Sequence, residues 1–381
     1  MKETIKLFTI FKLSFGIIIL AAGGFALAQE QSEYLSVTGP CNLEFPGDHG
    51  PHFGYRTEWW YYTGNLTSEK GSPYGFQFTI FRSQISPPGF EKKWPQPSSA
   101  WRTQQIYLGH VAVTDISGKQ HLQGEKTARA ALGLSAAAHT RAITDIFIDD
   151  WSIRITPDSH ILKVTTDDFK YEFYLLPEKI PVMHGDAGYS RKGSRTDQAS
   201  CYYSFTRLKT EGIITVDGKT ESVSGFSWMD HEYSTAALDP GLVGWDWFSL
   251  QLSDNTEVML YLLRAKNGKI HPASSGSRVN ANGEVLHLAQ NDFNVKVSKT
   301  WRSPQTDAVY PAHWRIQIPS LALDLIVSPN LPDQEMRTWQ STGVTYWEGS
   351  VSLTGTKQDQ SLTGQGYVEL TGYARSFDAP I

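Results

Sequence analysis

Apolar and polar residues alternate along much of this chain with the period of two that is typical of β-strands. In residues 74–82, aromatic rings and Ile80 occupy every second position, with glycine, glutamine and threonine between them. Because successive side chains of a strand point to opposite faces, this pattern predicts strands with one buried face. The strands predicted in this way cover residues 57–66, 74–82, 104–115, 147–155, 161–166, 169–175, 200–208, 213–216, 244–252, 257–264, 312–318, 321–327, 344–354 and 365–373.

Turn signals separate these segments. Asp217-Gly218 and Asp254-Asn255 are typical of the short connections between antiparallel strands. Residues 128–142 are rich in alanine and predict a helix, which Gly133 interrupts. Residues 86–99 contain four prolines and predict a long loop, which we expect to form a rim over a cavity. The pattern predicts an all-β fold of two antiparallel barrels or sandwiches.

The densest stretch is residues 225–249, where three tryptophans, three aspartates and a histidine lie close together. A break at Asp239, Pro240 and Gly241 predicts the boundary between a first domain, residues 57–238, and a second, residues 239–381. Residues 29–56 are rich in glycine and proline and predict an extended lead-in. Its two imidazoles, His49 and His52, are expected in a solvated loop rather than a fixed metal site.

The first residues have the pattern of a secretory signal. Lys2, Lys6 and Lys12 precede an apolar stretch that ends in Ala26-Leu27-Ala28, a small-x-small cleavage pattern. We therefore predict a signal peptide over residues 1–28, cleavage near Ala28, and export to the periplasm or medium. The stretch is shorter than a spanning helix needs, so no membrane span is expected in the mature chain.

Composition narrows the classes of function. The chain of 381 residues has a formal net charge of -5, which argues against nucleic-acid binding because that function needs clustered lysine and arginine. It carries 12 tryptophans, 17 tyrosines and 18 phenylalanines. Such a load predicts either a ring-lined cavity or a large aromatic core. Cys41 and Cys201 are the only cysteines and can form a disulfide or remain as two buried thiols.

Three acidic residues fall on apolar faces of predicted strands. Glu58 shares a face with Trp60 and Tyr62, Asp230 with Trp228, and Asp246 with Phe248. A buried carboxyl either finds hydrogen-bond donors, as a structural acid, or acquires the raised pKa that general-acid catalysis needs. By the same alternation, His231 points away from Asp230 unless the strand is bulged.

Motifs for other chemistries are missing from the sequence. There is no G-x-S-x-G elbow and no H-E-x-x-H, so a serine or cysteine hydrolase is not expected. Neither a metal site nor a cofactor is predicted.

Nine runs of sequence resemble those of a known family. They are EWWYYTGNL, GFQFTIFR, GHVAVTD, HGDAGYSRKG, CYYSFTRL, GFSWMDHEYS, GWDWFSLQL, YWEGSVSLTG and GQGYVELTGYA. Over residues 45–374 the chain resembles the AttH-like secreted proteins, which are grouped with carotenoid 1,2-hydratases. The resemblance implies two consecutive lipocalin-like antiparallel β-barrels and the addition of water to an isoprenoid double bond. Asp230, His231 and Tyr233 match the family's D-H-x-aromatic pattern, with Tyr233 where a tryptophan is usual.

The functional prediction is an exported protein that binds an apolar, isoprenoid- or lipid-like molecule, with hydration of a C=C bond as its chemistry. The alternatives are a non-catalytic carrier and a scaffold with filled barrels. The expected acid–base residues are Asp230, His231, Asp246 and Glu58. The expected ligand-lining rings are Trp60, Tyr62, Trp228, Tyr233, Trp245 and Trp247.

Overall fold

The structure is a computed structural model that describes residues 33–236 and 238–377. The predicted signal peptide, residues 1–28, lies outside the described residues. The described chain contains strands and four 3-10 helices, the latter at Gly47–His49, Phe90–Lys93, Gln290–Asp292 and Pro319–Leu321. No helix among these residues is long and apolar enough to cross a membrane.

Twenty-three strands form the described chain. They are β1 Thr57–Ser68, β2 Pro73–Gln84, β3 Gln105–Asp115, β4 Gln120–Arg129, β5 Ser135–Thr140, β6 Ile143–Ile148, β7 Trp151–Ile155, β8 His160–Thr165, β9 Phe169–Pro177, β10 Val182–Met183, β11 Tyr189–Arg191, β12 Ala199–Val216, β13 Lys219–Ser234, β14 Leu242–Leu252, β15 Glu257–Ala265, β16 Ser275–Val279, β17 Val285–Ala289, β18 Asn294–Arg302, β19 Val309–Ile318, β20 Leu323–Pro329, β21 Glu335–Thr338, β22 Val344–Lys357 and β23 Gln360–Leu370.

The strands form two antiparallel sheets, each curled into a barrel. The first sheet has the order β4-β3-β2-β1-β13-β12-β9-β8-β7-β6-β5, with β10 and β11 also paired to β12. The second has the order β17-β16-β15-β14-β23-β22-β20-β19-β18, with β21 paired to β22. In both, the chain begins near the middle of the sheet and returns there at its last strand. The prediction of an all-β fold of two antiparallel barrels is confirmed.

Each barrel interior is packed with apolar side chains. Trp60, Phe76 and Phe78 are fully buried in the core of the first barrel, and Phe248 and Trp314 in that of the second. This packing follows from the alternation, which sends every second residue of each strand inward. The described interiors therefore hold protein side chains where a hollow lipocalin would hold a ligand.

A third buried layer lies between the barrels. It forms where the outward faces of β1, β12 and β13 meet those of β14 and β23, and it contains mainly aromatic residues. Hydrogen bonds cross it directly: Trp247 Nε1 donates to Tyr202 Oη over 3.1 Å, and Gln251 Nε2 donates to the Thr206 carbonyl over 2.8 Å. The two barrels are thus joined face to face by a buried, largely aromatic interface.

The helix predicted over residues 128–142 is wrong. Strand β4 continues to Arg129 and β5 begins at Ser135, while Leu132 and Gly133 adopt left-handed φ angles of 55° and 73° in the turn between them. Alanine has a high helix propensity, but pairing of β5 with β6 and burial of Ala137 decide the local structure.

The lead-in is not a solvated loop, contrary to the prediction for its histidines. His49 is buried, and its Nδ1 lies 2.7 Å from Tyr203 Oη. The segment covers one end of the first barrel and is joined to β12 by a disulfide between Cys41 and Cys201, whose Cα atoms are 5.9 Å apart. Of the two alternatives for the cysteines, the structure has the disulfide.

Candidate functional site

Asp230 lies on the face of β13 that points at the second barrel. Its carboxylate accepts hydrogen bonds from Trp228 Nε1 at 2.6 Å, from Tyr202 Oη at 2.8 Å and from Ser204 Oγ. All three donors are neutral. Burial therefore dominates and raises the pKa of Asp230 to about 7. At neutral pH this carboxyl exists both with and without its proton, as a general acid requires.

Aromatic rings surround Asp230 on both sides of the interface. Trp228 meets Trp247 at 6.2 Å between ring centroids, in an edge-to-face arrangement. Tyr61, which lies opposite Asp230 in the register of β1 and β13, meets Trp247 at 5.3 Å with the same geometry. We call this set the interbarrel layer. It comprises Tyr61, Tyr202, Trp228, Asp230, Trp247, Tyr367, Glu348 and Glu369.

The second barrel contributes two carboxyl groups to the layer. Glu348 on β22 lies opposite Glu369 on β23, and Trp245 Nε1 donates to Glu369 Oε2 over 3.1 Å. Burial raises the pKa of both carboxyls, and the neighbouring charge of Asp230 raises that of Glu369 further. Three acids that hold protons more tightly than usual are therefore buried in the interface between the barrels.

Tyr61, Tyr367 and Glu348 place polar atoms in the layer that make no well-aligned hydrogen bond among the described residues. They are not isolated, because Tyr61 and Tyr346 lie close enough to Glu348 to offset part of the rise that burial causes in the pKa of its carboxyl, and Thr114 lies beside the Tyr367 hydroxyl in the same way. An unsatisfied buried polar atom costs about 1–3 kcal/mol, so small adjustments that complete these pairs are favoured.

One edge of the layer reaches solvent beside Lys192. Its Nζ lies 2.9 Å from Glu232 Oε1 and stands over the ring of Tyr261, 4.5 Å from the centroid. The Lys192 side chain is 22% exposed, so this ion pair lies at the boundary between the buried interbarrel layer and solvent. Lys192 belongs to the loop that follows β11, so this loop closes the edge of the layer.

His184 fixes the position of Ser204, one of the hydrogen-bond donors to Asp230. His184 Nε2 lies 2.7 Å from Ser204 Oγ, and Nδ1 lies 2.9 Å from Ser277 Oγ on the second barrel. Burial lowers the pKa of His184 to about 3, so the ring is neutral and fixes Ser204 against Asp230.

The opposite face of β13 carries a different cluster. His231 Nε2 lies 2.9 Å from Glu58 Oε1 inside the first barrel, and Arg82 Nε donates to Glu58 Oε2 over 2.7 Å. His52 from the lead-in bridges Glu58 and Asp48, at 2.7 and 2.8 Å. We call these five residues the barrel-end network. Asp230 and His231 thus point to opposite faces, as the alternation predicts.

Charge is balanced within the barrel-end network. Burial disfavours a charged ring at His52, but hydrogen bonds to Asp48 and Glu58 outweigh it and raise the pKa of His52 to about 9. Burial would also raise the pKa of Glu58, but His231, His52 and Arg82 together hold it below its ordinary value. The network is therefore a buried chain of alternating charges that fixes the lead-in.

His52, Glu58 and His231 also have the donor atoms of a metal site, because one atom of each lies within 4.8 Å of the others. The hydrogen bonds do not fit a metal. Arg82 already supplies a positive charge beside Glu58, and both carboxylate oxygens of Glu58 are engaged in hydrogen bonds. We therefore assign the cluster to structure and derive no metal chemistry from it.

Asp246 occupies a third place, inside the second barrel. It accepts from Arg264 Nε at 2.7 Å and from Tyr373 Oη at 3.0 Å. This geometry is that of an acid fixed by a cation.

The structure separates the sequence-predicted residues into these three places. The interbarrel layer contains or borders Asp230, Trp228, Trp245 and Trp247. The barrel end holds Glu58, His231 and Tyr233, the last stacked on His52 at 3.7 Å, and the adjoining core holds Trp60 and Tyr62. Glu348, Glu369, Tyr202 and Lys192 were not predicted as site residues. Alternation on residues 346–348 places Glu348 on the face of Tyr346, but it does not reveal that Glu369 lies opposite.

Comparisons with known proteins agree on the family. The AttH-like family profile matches residues 36–373. A crystal structure of an AttH protein from Nitrosomonas europaea is 34% identical, covers 89% of this chain and 99% of that chain, and superposes with a TM-score of 0.78. No curated protein sequence matches the chain.

Two more distant structures share the fold. Kievitone hydratase from Nectria haematococca is 15% identical and superposes with a TM-score of 0.68, covering 90% of this chain and 97% of that one. CghA in complex with Sch210972 is 10% identical, with a TM-score of 0.54 and coverage of 90% and 97%. At these identities the likeness concerns the fold alone. The match over nearly all described residues, with the Nitrosomonas relative, shows that the chain belongs to the AttH-like family.

Proposed function

We propose that this protein is a hydratase that adds water across a carbon–carbon double bond of a largely apolar small molecule bound in the interbarrel layer. The observation that carries the proposal is the set of buried acids, Asp230, Glu348 and Glu369, with raised pKa values among tryptophan and tyrosine rings. The hydratase activity named for the Nectria protein of the same fold supports this reaction class.

In the proposed reaction, protonated Asp230 transfers its proton to one carbon of the double bond. The π faces of Trp228 and Trp247 stabilise the cationic carbon that results. A water molecule forms a C–O bond to that carbon and loses a proton to the carboxylate of Glu369. One water is added, and proton return from Glu369 to Asp230 restores the site.

The polar atoms of the layer support a ligand that carries a polar group. Tyr61 Oη, Tyr367 Oη and Glu348 Oε1 would meet the attacking water or a hydroxyl of the substrate. A ligand with an apolar body and one polar group satisfies both the rings and these atoms. An isoprenoid with a hydroxyl substituent has this form.

We also propose that the protein acts after export. The N-terminal signal pattern predicts this location, and the Cys41–Cys201 disulfide suits an oxidising compartment. The N-terminal residue of the protein recovered from the periplasm or medium tests the proposal. Recovery of the protein from the cell interior only, with Met1 intact, would contradict it.

The test of the reaction is incubation of the purified protein with hydroxylated and unsubstituted isoprenoids in H₂¹⁸O. Incorporation of labelled oxygen, detected by mass spectrometry, is the expected result. Asp230→Asn should lower kcat by about 10²–10⁴-fold. Because the acid must be protonated, wild-type kcat should fall as the pH rises above about 7.

The matched control is Glu335→Gln. Glu335 is also buried and also accepts from neutral donors, Ser303, Thr306 and Tyr310, at 2.6–3.0 Å, but it lies outside the layer. This variant should retain kcat while it loses stability. If the protein binds the ligand without incorporating labelled oxygen, and Asp230→Asn binds it equally well, then the protein is a carrier and not a hydratase.

A further inference from the structure

Apolar side chains are exposed together at one end of the first barrel. Leu35, Phe53 and Ile85 are 52%, 57% and 52% exposed, and Phe90 and Trp101 are 38% and 58% exposed. With the half-buried Trp94 they form a surface that we call the apolar rim. A groove of about 410 Å³ runs through it and is lined by Ile85, Phe90, Trp94 and Trp101 among others.

The rim is held in place by hydrogen bonds. Arg102 Nη2 donates to the Pro95 carbonyl over 2.8 Å, and Arg129 Nη1 donates to the Trp101 carbonyl over 3.1 Å. Leu35 N donates to the Gly54 carbonyl over 3.0 Å, which ties the lead-in to the same surface. Exposed aromatic rings that a hydrogen-bonded loop holds together indicate an interaction surface, because monomeric soluble proteins rarely expose a large contiguous apolar patch.

Positive charge accompanies the exposed rings. Arg102 stands over the Trp94 ring at 5.0 Å, Arg129 over Trp101 at 5.8 Å, and Lys93 over Phe90 at 5.6 Å. Lys92 is exposed beside them. Among the described residues, no carboxylate lies within ion-pair distance of these four cations. Glu91 is the acid next to these cations and accepts a hydrogen bond from Gln104. With four cations to this one acid, the rim is locally basic on a chain whose formal net charge is -5.

We propose that the apolar rim docks the protein on an anionic lipid surface. Tryptophan rings prefer the boundary between headgroups and acyl chains, and arginine and lysine bury their stems there while their charged ends reach lipid phosphates. Several unpaired cations around inserted rings match a surface with many negative charges. The proposal is independent of the reaction, because the rim shares no residue with the interbarrel layer.

Co-sedimentation with lipid vesicles tests the docking. The full chain is mixed with vesicles of phosphatidylcholine alone, or of phosphatidylcholine and phosphatidylglycerol in about equal parts. The wild type should sediment with the anionic vesicles, and salt should weaken the binding. Trp94→Ala with Trp101→Ala should weaken binding about tenfold or more. Arg102→Glu with Arg129→Glu should remove the preference for phosphatidylglycerol.

The control is Trp339→Ala. Trp339 is 65% exposed on the second barrel and does not line the groove, so its loss should leave vesicle binding unchanged. All variants carry the same N-terminus, so any contribution of residues 1–28 cancels in the comparison. Wild-type protein that ignores anionic vesicles at low salt overturns the proposal. So do rim variants that bind as the wild type does, or rim variants that instead change a dimer into a monomer.

Discussion

Two buried carboxyl groups, Glu58 and Asp230, differ in pKa because the charges of their hydrogen-bond donors differ. Glu58 receives bonds from Arg82 and charged His52, and its pKa is held low. Asp230 receives bonds from a phenol, a hydroxyl and an indole only, and burial raises its pKa to about 7. Asp230 lies on β13 and Glu58 on the neighbouring strand β1, and their carboxyl groups are buried on opposite faces of the sheet. The donors therefore fix Glu58 as a structural acid, and they support the role of proton donor that we propose for Asp230.

His52 should make the stability of the protein depend on alkaline pH. Folding raises its pKa from 6.5 to about 9, so its contribution is complete below pH 6.5 and is lost as pH rises to about 9. The shift corresponds to about 3 kcal/mol at most. Urea unfolding between pH 6 and pH 9.5 should show this loss, and His52→Gln should remove most of the slope.

His160→Gln is the control for that measurement. His160 is buried beside Tyr62, and burial lowers its pKa to about 3, so it affects the pH dependence only below about 6.5. This variant should keep the alkaline loss of stability. An equal slope in His52→Gln and the wild type would exclude His52 as its source.

At the level of strands and loops, period-two patterning predicted most of the sheet because one face of each strand is buried. It failed in residues 128–142, where alanines that favour a helix in isolation pair as strand β5. The lead-in was also misjudged, since His49 is buried against Tyr203, which is far away in sequence, and half-buried His52 is held by Glu58 on strand β1. A local pattern indicates which face of a strand is buried, but it does not indicate which other segment covers that face.

The lead-in should depend on its disulfide for its position. The Cys41–Cys201 bond closes a sequence separation of 160 residues, so its removal restores entropy to the unfolded chain. Replacing both cysteines with alanine should lower the free energy of unfolding by about 2–5 kcal/mol in urea. Limited proteolysis should then cleave within residues 33–50 first.

A reductant provides the control for the disulfide. Reduced wild type should lose the same stability as the double variant, and the double variant should not respond to reductant. Unchanged proteolysis of the lead-in after both treatments would mean that the barrel-end network alone positions it.

The whole molecule places its candidate chemistry in the contact between two barrels whose interiors are packed. Asp230, Trp228 and Trp247 were predictable from dense sequence near the junction. Glu348 and Glu369 reach the same layer only because β22 and β23 return to the middle of the second sheet. This convergence depends on sheet order and on the orientation of one barrel against the other, which strand periodicity does not contain.

The pairing of the barrels should depend on one buried carboxylate. Glu257 on β15 accepts from Lys179 Nζ at 2.7 Å and from Arg207 Nε at 2.6 Å, both on the first barrel, and all three side chains are at least nine-tenths buried. Glu257→Ala leaves two buried cations without a partner, which should cost about 3–5 kcal/mol of unfolding free energy in urea. The exposed pair of Arg315 and Asp324 is the control, and Asp324→Ala should cost less than about 1 kcal/mol of unfolding free energy.

Glu257 lies outside the interbarrel layer, so its loss should lower kcat only because the packing between the barrels loosens. Addition of a stabilising osmolyte should then restore activity. Equal stability of the two variants would mean that packing of the aromatic layer, and not this ion cluster, holds the barrels together.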